Sequence, residues 1–600
     1  MSRLLAKRII ALGTIGLLLG TDSAGIGELA HKGANRLLAD NTDPIVLSAY
    51  NCEDYIAEDE KDDSGNVTEK GLISKFEDYC AETLGQNVTV AYSTYDTNET
   101  MLSELKTGKA DYDLVVGSDY VLQKMIRENM IVPFDDDSTP NYNKYVSPFV
   151  KQKMESIKVN GETGLVTKYA RGYMWGTLGI LYNDGFDGVT SRGITAAEME
   201  TDMHSWLSLW NKKYETLLSI KDSMRDTYAV GIMKTYDQDF TLDGTSYEGF
   251  STLKKKYDAG TYTADQYNEK ATAIFNLCDD TTLSRVRSDL NDLKNNAFGF
   301  EVDSGKTDMA KGDVFAINVA WSGDAAYAMD LADENNAKNA DNKDFTPTIL
   351  KYALPDTGAN IWFDGWVMPS NVKHKELAEQ FVDFISMPDN VVQNMTYIGY
   401  TSVIAGDTVL ELVQSNYDMR WDADAGKIDD SLLEGYTKVE SSDIVNLSDD
   451  DKASSYYTKD ISYFFEGSLE EKTAADCLFD LTADQKDRQF DTQYPDSTLL
   501  PSLCVMADFG DQTDALLKMW EKVKNTDLPL WAYITIIAVI VLLIVWFVVA
   551  KIKKHAAMER RRQRKEAREI RAKKSLELLD SLTDGLFEPK KSLLNNNTAK

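Results

Sequence analysis

The sequence predicts an α/β protein of two or more lobes built on parallel sheet, followed by one C-terminal transmembrane helix. Three observations predict it. Apolar runs and helical periods alternate as βαβαβ from Ile45; the 600 residues exceed what one compact domain usually holds; and the 23 residues from Leu528 to Ala550 carry no formal charge.

The chain opens with Arg3, Lys7 and Arg8 before an apolar run from Ile9 to Gly20, the charged and apolar regions of a secretory signal. The acidic residue in Thr21-Asp22-Ser23-Ala24-Gly25 is unusual at a cleavage site, so an uncleaved N-terminal anchor is the alternative. Ile45 to Tyr50 reads as a strand. Lys70 to Leu84 repeats Leu72, Ile73, Phe76, Cys80 and Leu84 on one helical face before Gly85 stops it. Val88 to Tyr92 returns to strand, Asn98 to Thr107 to helix, and Tyr112 to Val116 to strand. Ser118 is placed to cap the next helix, which runs through Arg127. In such sheets ligands bind beyond the carboxyl ends of the strands, where this chain carries Asn51-Cys-Glu-Asp-Tyr55 and Gly117-Ser-Asp-Tyr120. Segments 237–300 and 401–500 are more polar and read as surface elaborations.

Leu528 to Ala550 is long enough to cross a bilayer, with Trp531, Tyr533 and Trp546 suited to its interfaces. Lys551, Lys553, Lys554 and Arg560 to Arg562 open a basic tail of the kind retained in the cytoplasm, which puts the bulk of the chain outside. Of the formal charge of −33, residues 551–600 contribute +8 and residues 1–40 contribute +2, so the segment between carries −43. That acidity argues against nucleic acid as a partner and for cations. Four histidines and five cysteines without paired metal or redox spacing disfavour an enzyme, and no metal or cofactor is expected. An odd number of cysteines leaves at least one without an intramolecular partner; buried free thiols are the plain reading.

A set of motifs in fixed order extends from about Ile45 to Lys524. It includes Tyr50-Asn-Cys-Glu-Asp-Tyr-Ile56, Tyr112-Asp-Leu-Val-Val-Gly-Ser-Asp-Tyr120, Tyr173-Met-Trp-Gly-Thr-Leu-Gly-Ile180, Asp222-Ser-Met-Arg-Asp226, Ala320-Trp-Ser-Gly323, Trp362-Phe-Asp364 and Tyr397-Ile-Gly-Tyr-Thr401. Together they resemble the spermidine/putrescine-binding proteins of ATP-driven (ABC) importers. The resemblance implies a two-lobed type II periplasmic-binding-protein fold with its ligand cleft between the lobes. The partners it implies are a polyamine, a permease and its ATPase. The elementary chemistry agrees: a polyamine is an apolar chain bearing ammonium groups, so its receptor needs carboxylates beside aromatic faces.

By that resemblance the ligand contacts are Tyr55, Ser118 and Tyr120 from the first lobe and Asp226 from the second. Trp321, Trp362 and Tyr400 line the slot, and Asp364 is the central carboxylate. The chain departs from the family pattern at Cys52, Ser223 and Met506, which weakens the case for a triply charged ligand; Asp54, Asp119, Asp222 and Asp508 are candidates to compensate.

The expected organisation is a signal peptide or anchor with linker (1–40), first lobe (41–170) and second lobe (171–362) with an insertion at about 237–300. A return to the first lobe (363–405), an insertion (406–500), a C-terminal helix of the binding domain (501–527), the transmembrane helix (528–550) and the cytoplasmic tail (551–600) complete it. Chain crossings are expected near 168–172 and 362–366. The alternatives are a membrane-anchored sensor of the same fold, or a receptor for another small organic cation.

Overall fold

The first three long apolar runs are parallel strands. In the computed structural model these are β1 (Ile45–Cys52), β2 (Val88–Tyr95) and β3 (Leu114–Ser118), with β1 paired to both of the others. The model describes residues 43–525 apart from 63, 109, 110 and 344, residues 538–554, and the isolated positions 32, 36, 558, 559, 562, 565, 566, 573 and 574. Between the strands lie α1 (Leu72–Tyr79), which continues as a π-helical turn over Cys80–Leu84, and α2 (Asn98–Thr107). The Thr97 hydroxyl accepts the Thr100 N–H at the start of α2, and Gly108 ends it at φ +60°. After β3 comes α3 (Asp119–Arg127). Ser118 stands at its N-cap position but makes no capping bond, because its hydroxyl instead accepts from the Asn98 amide at 2.9 Å.

Two long strands then carry the chain between halves of the sheet. β4 (Ala170–Tyr182) and β8 (Ala359–Pro369) are buried at every residue, which is why their sequences are mostly apolar without a polar-apolar alternation. The second half adds β5 (Leu218–Lys221), β6 (Gly299–Glu301) and β7 (Ile317–Trp321), again parallel around β5. Helix α4 (Met224–Thr235) follows β5, and α5 (Ser322–Lys338) follows β7. The path across the sheet is β6-β5-β7-β4-β8-β3-β1-β2. It is two parallel sheets joined through an antiparallel centre, one sheet per lobe. Residues 170–177 of β4 pair with β8, and 178–182 pair with β7. The crossing on β4 therefore falls near residue 177, further along than the expected 168–172.

A third strap joins the lobes. Leu503–Cys504 pairs with Ala359–Asn360 of β8; the Met506 carbonyl accepts from Gln123 of α3, and the Ala507 carbonyl accepts from Arg225 of α4. The segments expected at the surface contribute to the interior: Leu283, Val286, Leu290 and Leu293 from one, and Phe464, Phe465, Phe479, Phe490 and Tyr494 from the other, all lie in the main core cluster. Their average polarity conceals a few large anchors, each worth roughly 1.5–3 kcal/mol when fully buried. All five cysteines are free thiols.

Residues up to 523 and residues 524–600 form separate units. In the second, 538–554 is helical. Its apolar side chains from Val539 to Val549 all lie open, Trp546 at 68% and Phe547 at 63% exposure. Among the described residues no helix is long and apolar enough to cross a membrane. Residues 528–537, the first part of the expected span, and the expected signal segment 9–20 lie outside the described residues.

Candidate ligand-binding site

Asp364 lies on β8 where that strand leaves one lobe for the other. The β4–β8 register breaks at this point: Phe363 pairs with Trp175 and Gly365 with Gly172, so two residues of β4 stand against Asp364 alone. Such a bulge turns a side chain out of the regular pleat. On the other edge Asp364 is in register with Ser118, the last residue of β3. The site thus sits at the carboxyl end of a first-lobe strand, beside the crossing.

The carboxylate is 9% exposed and its two oxygens differ. Oδ2 accepts the Tyr55 hydroxyl at 2.8 Å, whereas Oδ1 is buried without a hydrogen-bond partner. Among the described residues no lysine or arginine pairs with it. Burial pushes the Asp364 carboxyl up to about 6; the Ser118 and Tyr55 side chains partly offset this, and the Asp226 carboxylate adds to the rise. The neighbouring Cys52 thiol is pushed up to about 12 by burial and by Asp364, so it stays neutral.

Tyr55 is fixed from behind. The Tyr173 hydroxyl donates to the Tyr55 carbonyl, and Asn394 donates to the Tyr173 hydroxyl at 2.8 Å while accepting the Ala57 N–H at 2.8 Å. The Tyr55 ring meets Tyr173 edge-on at 5.4 Å and Tyr400 edge-on at 5.0 Å. Tyr400 in turn lies 5.9 Å from Trp362. A wall of rings, Tyr55, Tyr400 and Trp362, therefore stands beside the Asp364 carboxylate. Like Asp364 Oδ1, Trp362 Nε1 is buried without a partner.

Two glycines let the wall form. A Cβ on Gly323 would stand 2.4 Å from the Tyr400 ring, and one on Gly176 would stand 2.6 Å from Trp362 Cζ2 and 2.3 Å from Ser322 Oγ. Any side chain at either position would push an aromatic ring out of place.

The second lobe supplies Trp321 at the end of β7 and Asp226 in the first turn of α4. Asp226 is 8% exposed, and burial raises its carboxyl against the pull of Ser223, Trp321, Lys221 and Arg225. Tyr120 lies in the first turn of α3. Its hydroxyl donates to Glu99 at 3.1 Å, and the Arg225 guanidinium lies 4.5 Å over its ring.

Of the compensating acids, Asp508 is consumed by an ion pair with Arg127 at 2.6 Å, and Asp54 is exposed near Lys306. Asp119 is buried but accepts the backbone N–H of Tyr120 and of Phe363. The residues that sequence reasoning missed are Tyr173, Asn394, Lys221 and Asp324. Tyr173 opens one of the ordered motifs, which was its only signal; the other three bear none.

The family described as bacterial extracellular solute-binding protein matches residues 72–416. The chain is 26% identical over 331 residues to the spermidine/putrescine-binding periplasmic protein of Escherichia coli (strain K12), covering 55% of this chain and 73% of that protein. It is 27% identical over 368 residues to the putrescine-binding periplasmic protein PotF of the same strain, covering 61% of this chain and 80% of that protein. Among solved structures, a putative spermidine/putrescine ABC transporter from Listeria monocytogenes superposes with a TM-score of 0.47 at 23% identity, covering 80% of this chain and 98% of that one.

Proposed function

The chain belongs to the bacterial extracellular solute-binding protein family, and on that premise we propose that it captures polyamines, putrescine or spermidine, and delivers them to an ABC permease driven by its ATPase. One observation carries the reading: the buried Asp364 carboxylate has an open oxygen and no cation of its own, beside a wall of aromatic rings. An unpaired buried carboxylate is costly, and an ammonium group supplies what it lacks: charge, a hydrogen bond, and methylenes that pack on the rings. The ligand contacts would be Tyr55, Ser118, Asp226, Trp362, Asp364 and Tyr400, with Tyr120 and Trp321 lining the slot beneath Arg225 and Lys221. Contacts drawn from both lobes favour the closed form and so convert binding into closure.

The reading includes a tether. The charge-free run 528–550 and the apolar side chains open around the 538–554 helix support a single membrane span, with the binding domain outside and the basic tail in the cytoplasm. Such a tether raises the effective concentration of receptor at its permease. No catalytic role is part of the proposal.

Uptake of labelled putrescine and spermidine tests the proposal in cells with and without the protein. Loss of uptake on deletion, restored by the wild-type chain and not by Asp364→Asn, is the expected result. Unchanged uptake of both amines would overturn it. A loss of amine-dependent signalling with normal uptake would favour a sensor.

A further inference from the structure

Two of the aromatic faces in the slot already carry cations that belong to the chain. Lys221, the last residue of β5, is fully buried, and its Nζ lies 4.4 Å from the centre of the Trp321 ring. It donates to the Val302 carbonyl at 2.8 Å and to Asp324 Oδ2 at 3.1 Å, and it lies 3.2 Å from Glu301 Oε1. Those three partners use all the hydrogens of an ammonium group. The two carboxylates are satisfied in turn: Asp324 Oδ1 accepts the Tyr400 hydroxyl at 2.7 Å, and Glu301 accepts from Asn318 at 3.0 Å and from the Gly305 N–H at 2.8 Å. Burial alone would push Lys221 down, but Asp324 and Glu301 outweigh it and keep the side chain charged. On the other side Arg225 lies 4.5 Å over Tyr120 and 3.9 Å over Phe509, and donates to the Ala507 carbonyl at 2.8 Å.

The remainder is short. Asp364 and Asp226 are the buried acids of the slot that no lysine or arginine pairs with and that backbone N–H groups do not saturate, among the described residues. Asp119, also without a cation, gives both oxygens to backbone N–H groups, and Glu99 accepts the Tyr120 hydroxyl at 3.1 Å and is held by the charge of Arg225. We propose that Lys221 and Arg225 are built-in cations that occupy the Trp321 and Tyr120 subsites. The chain then takes a short aliphatic diamine, one ammonium on Asp364 and the other on Asp226, and discriminates against a longer triamine. A third ammonium would meet Lys221 or Arg225 where it needs a carboxylate, and like charges in a desolvated slot repel.

This inference rests on the polyamine reading. The test is calorimetry on the full chain in detergent with putrescine and spermidine, on wild type and Lys221→Met. Methionine keeps the apolar stem while freeing the Trp321 face and Asp324. Wild type is expected to bind putrescine at least about tenfold more tightly than spermidine, and Lys221→Met to shift that ratio at least about tenfold toward spermidine. Lys221→Met/Glu301→Gln, which leaves only one freed carboxylate, backs up the single variant should it fail to fold. A wild type that binds spermidine as tightly as putrescine overturns the inference, as does a folded variant with the wild-type ratio. Should neither variant fold, the wild-type ratio decides. Failure of wild type to bind any amine overturns the polyamine reading itself, a distinct result.

Discussion

The Tyr55 hydroxyl donates to one oxygen of Asp364 at 2.8 Å and leaves the other buried and unpaired. The Tyr173–Asn394 relay holds the Tyr55 main-chain carbonyl, and edge-on contacts with Tyr173 and Tyr400 hold its ring. A fixed donor on one side and a vacant acceptor on the other is an arrangement prepared for an incoming donor.

Asp364→Asn should separate stability from binding. The folded protein holds this carboxyl at about 6 against an ordinary 3.8, so the ionised group destabilises the ligand-free fold. A shift of about two units corresponds to about 3 kcal/mol, to order of magnitude. Asparagine keeps an acceptor for Tyr55 without the charge. Thermal melts at pH 7 should show the ligand-free variant melting above wild type. Amine affinity should fall at least about tenfold, the loss of one charge-assisted contact.

The same shift sets a pH dependence. Because the folded-state value is raised, Asp364 lowers stability as pH rises from about 3.8 through about 6, and the penalty is complete above that. Amine binding needs the ionised form. Affinity should therefore rise with pH up to about 6 and level off beyond it, with proton release on binding near pH 5. Calorimetry in buffers of different ionisation enthalpy reads both, and Asp364→Asn should flatten the profile.

Gly323→Ala should weaken binding with little change in secondary structure. Its methyl would start 2.4 Å from the Tyr400 ring, so the ring must move. Overpacking of this kind costs roughly 1–3 kcal/mol. The loss should show in amine affinity and in quenching of Trp362 fluorescence; Ala at half-buried Gly299, whose Cβ would meet nothing within 4 Å, is the control.

A chain ending at residue 527 should leave the membrane fraction for the soluble one while keeping amine affinity within about twofold of the full chain. Retention in the membrane fraction would place the anchor elsewhere, the N-terminal apolar run being the other candidate.

Much of the first lobe was legible because its strands are short runs rich in apolar residues, separated by helices with clear stops such as Gly85 and Gly108. The antiparallel centre was not. β4 and β8 are buried at every residue, so neither shows the alternation that marks a one-sided strand, and nothing in such a run states its direction or partner. Asp364, Tyr55, Trp362 and Tyr400 came from ordered motifs, and the structure brings those four together. Lys221 gave no signal, since a lysine ending a strand ordinarily reads as a solvent contact; only the fold reveals Asp324 and Glu301 around it. The surroundings of Trp321 and Tyr120 met the same limit, because the cations over their rings, Lys221 and Arg225, lie 100 and 105 residues away along the chain.

Asp364 and its rings are proposed to hold an ammonium group. The direct measurement is calorimetric titration of the full chain at pH 7 with 1,4-diaminobutane and with butane-1,4-diol, which share length and shape but not charge. Saturable binding of the diamine, lost on Asp364→Asn, and none of the diol at the same concentrations is the expected result. Equal binding of diol and diamine, or diamine binding unchanged in folded Asp364→Asn, would contradict it.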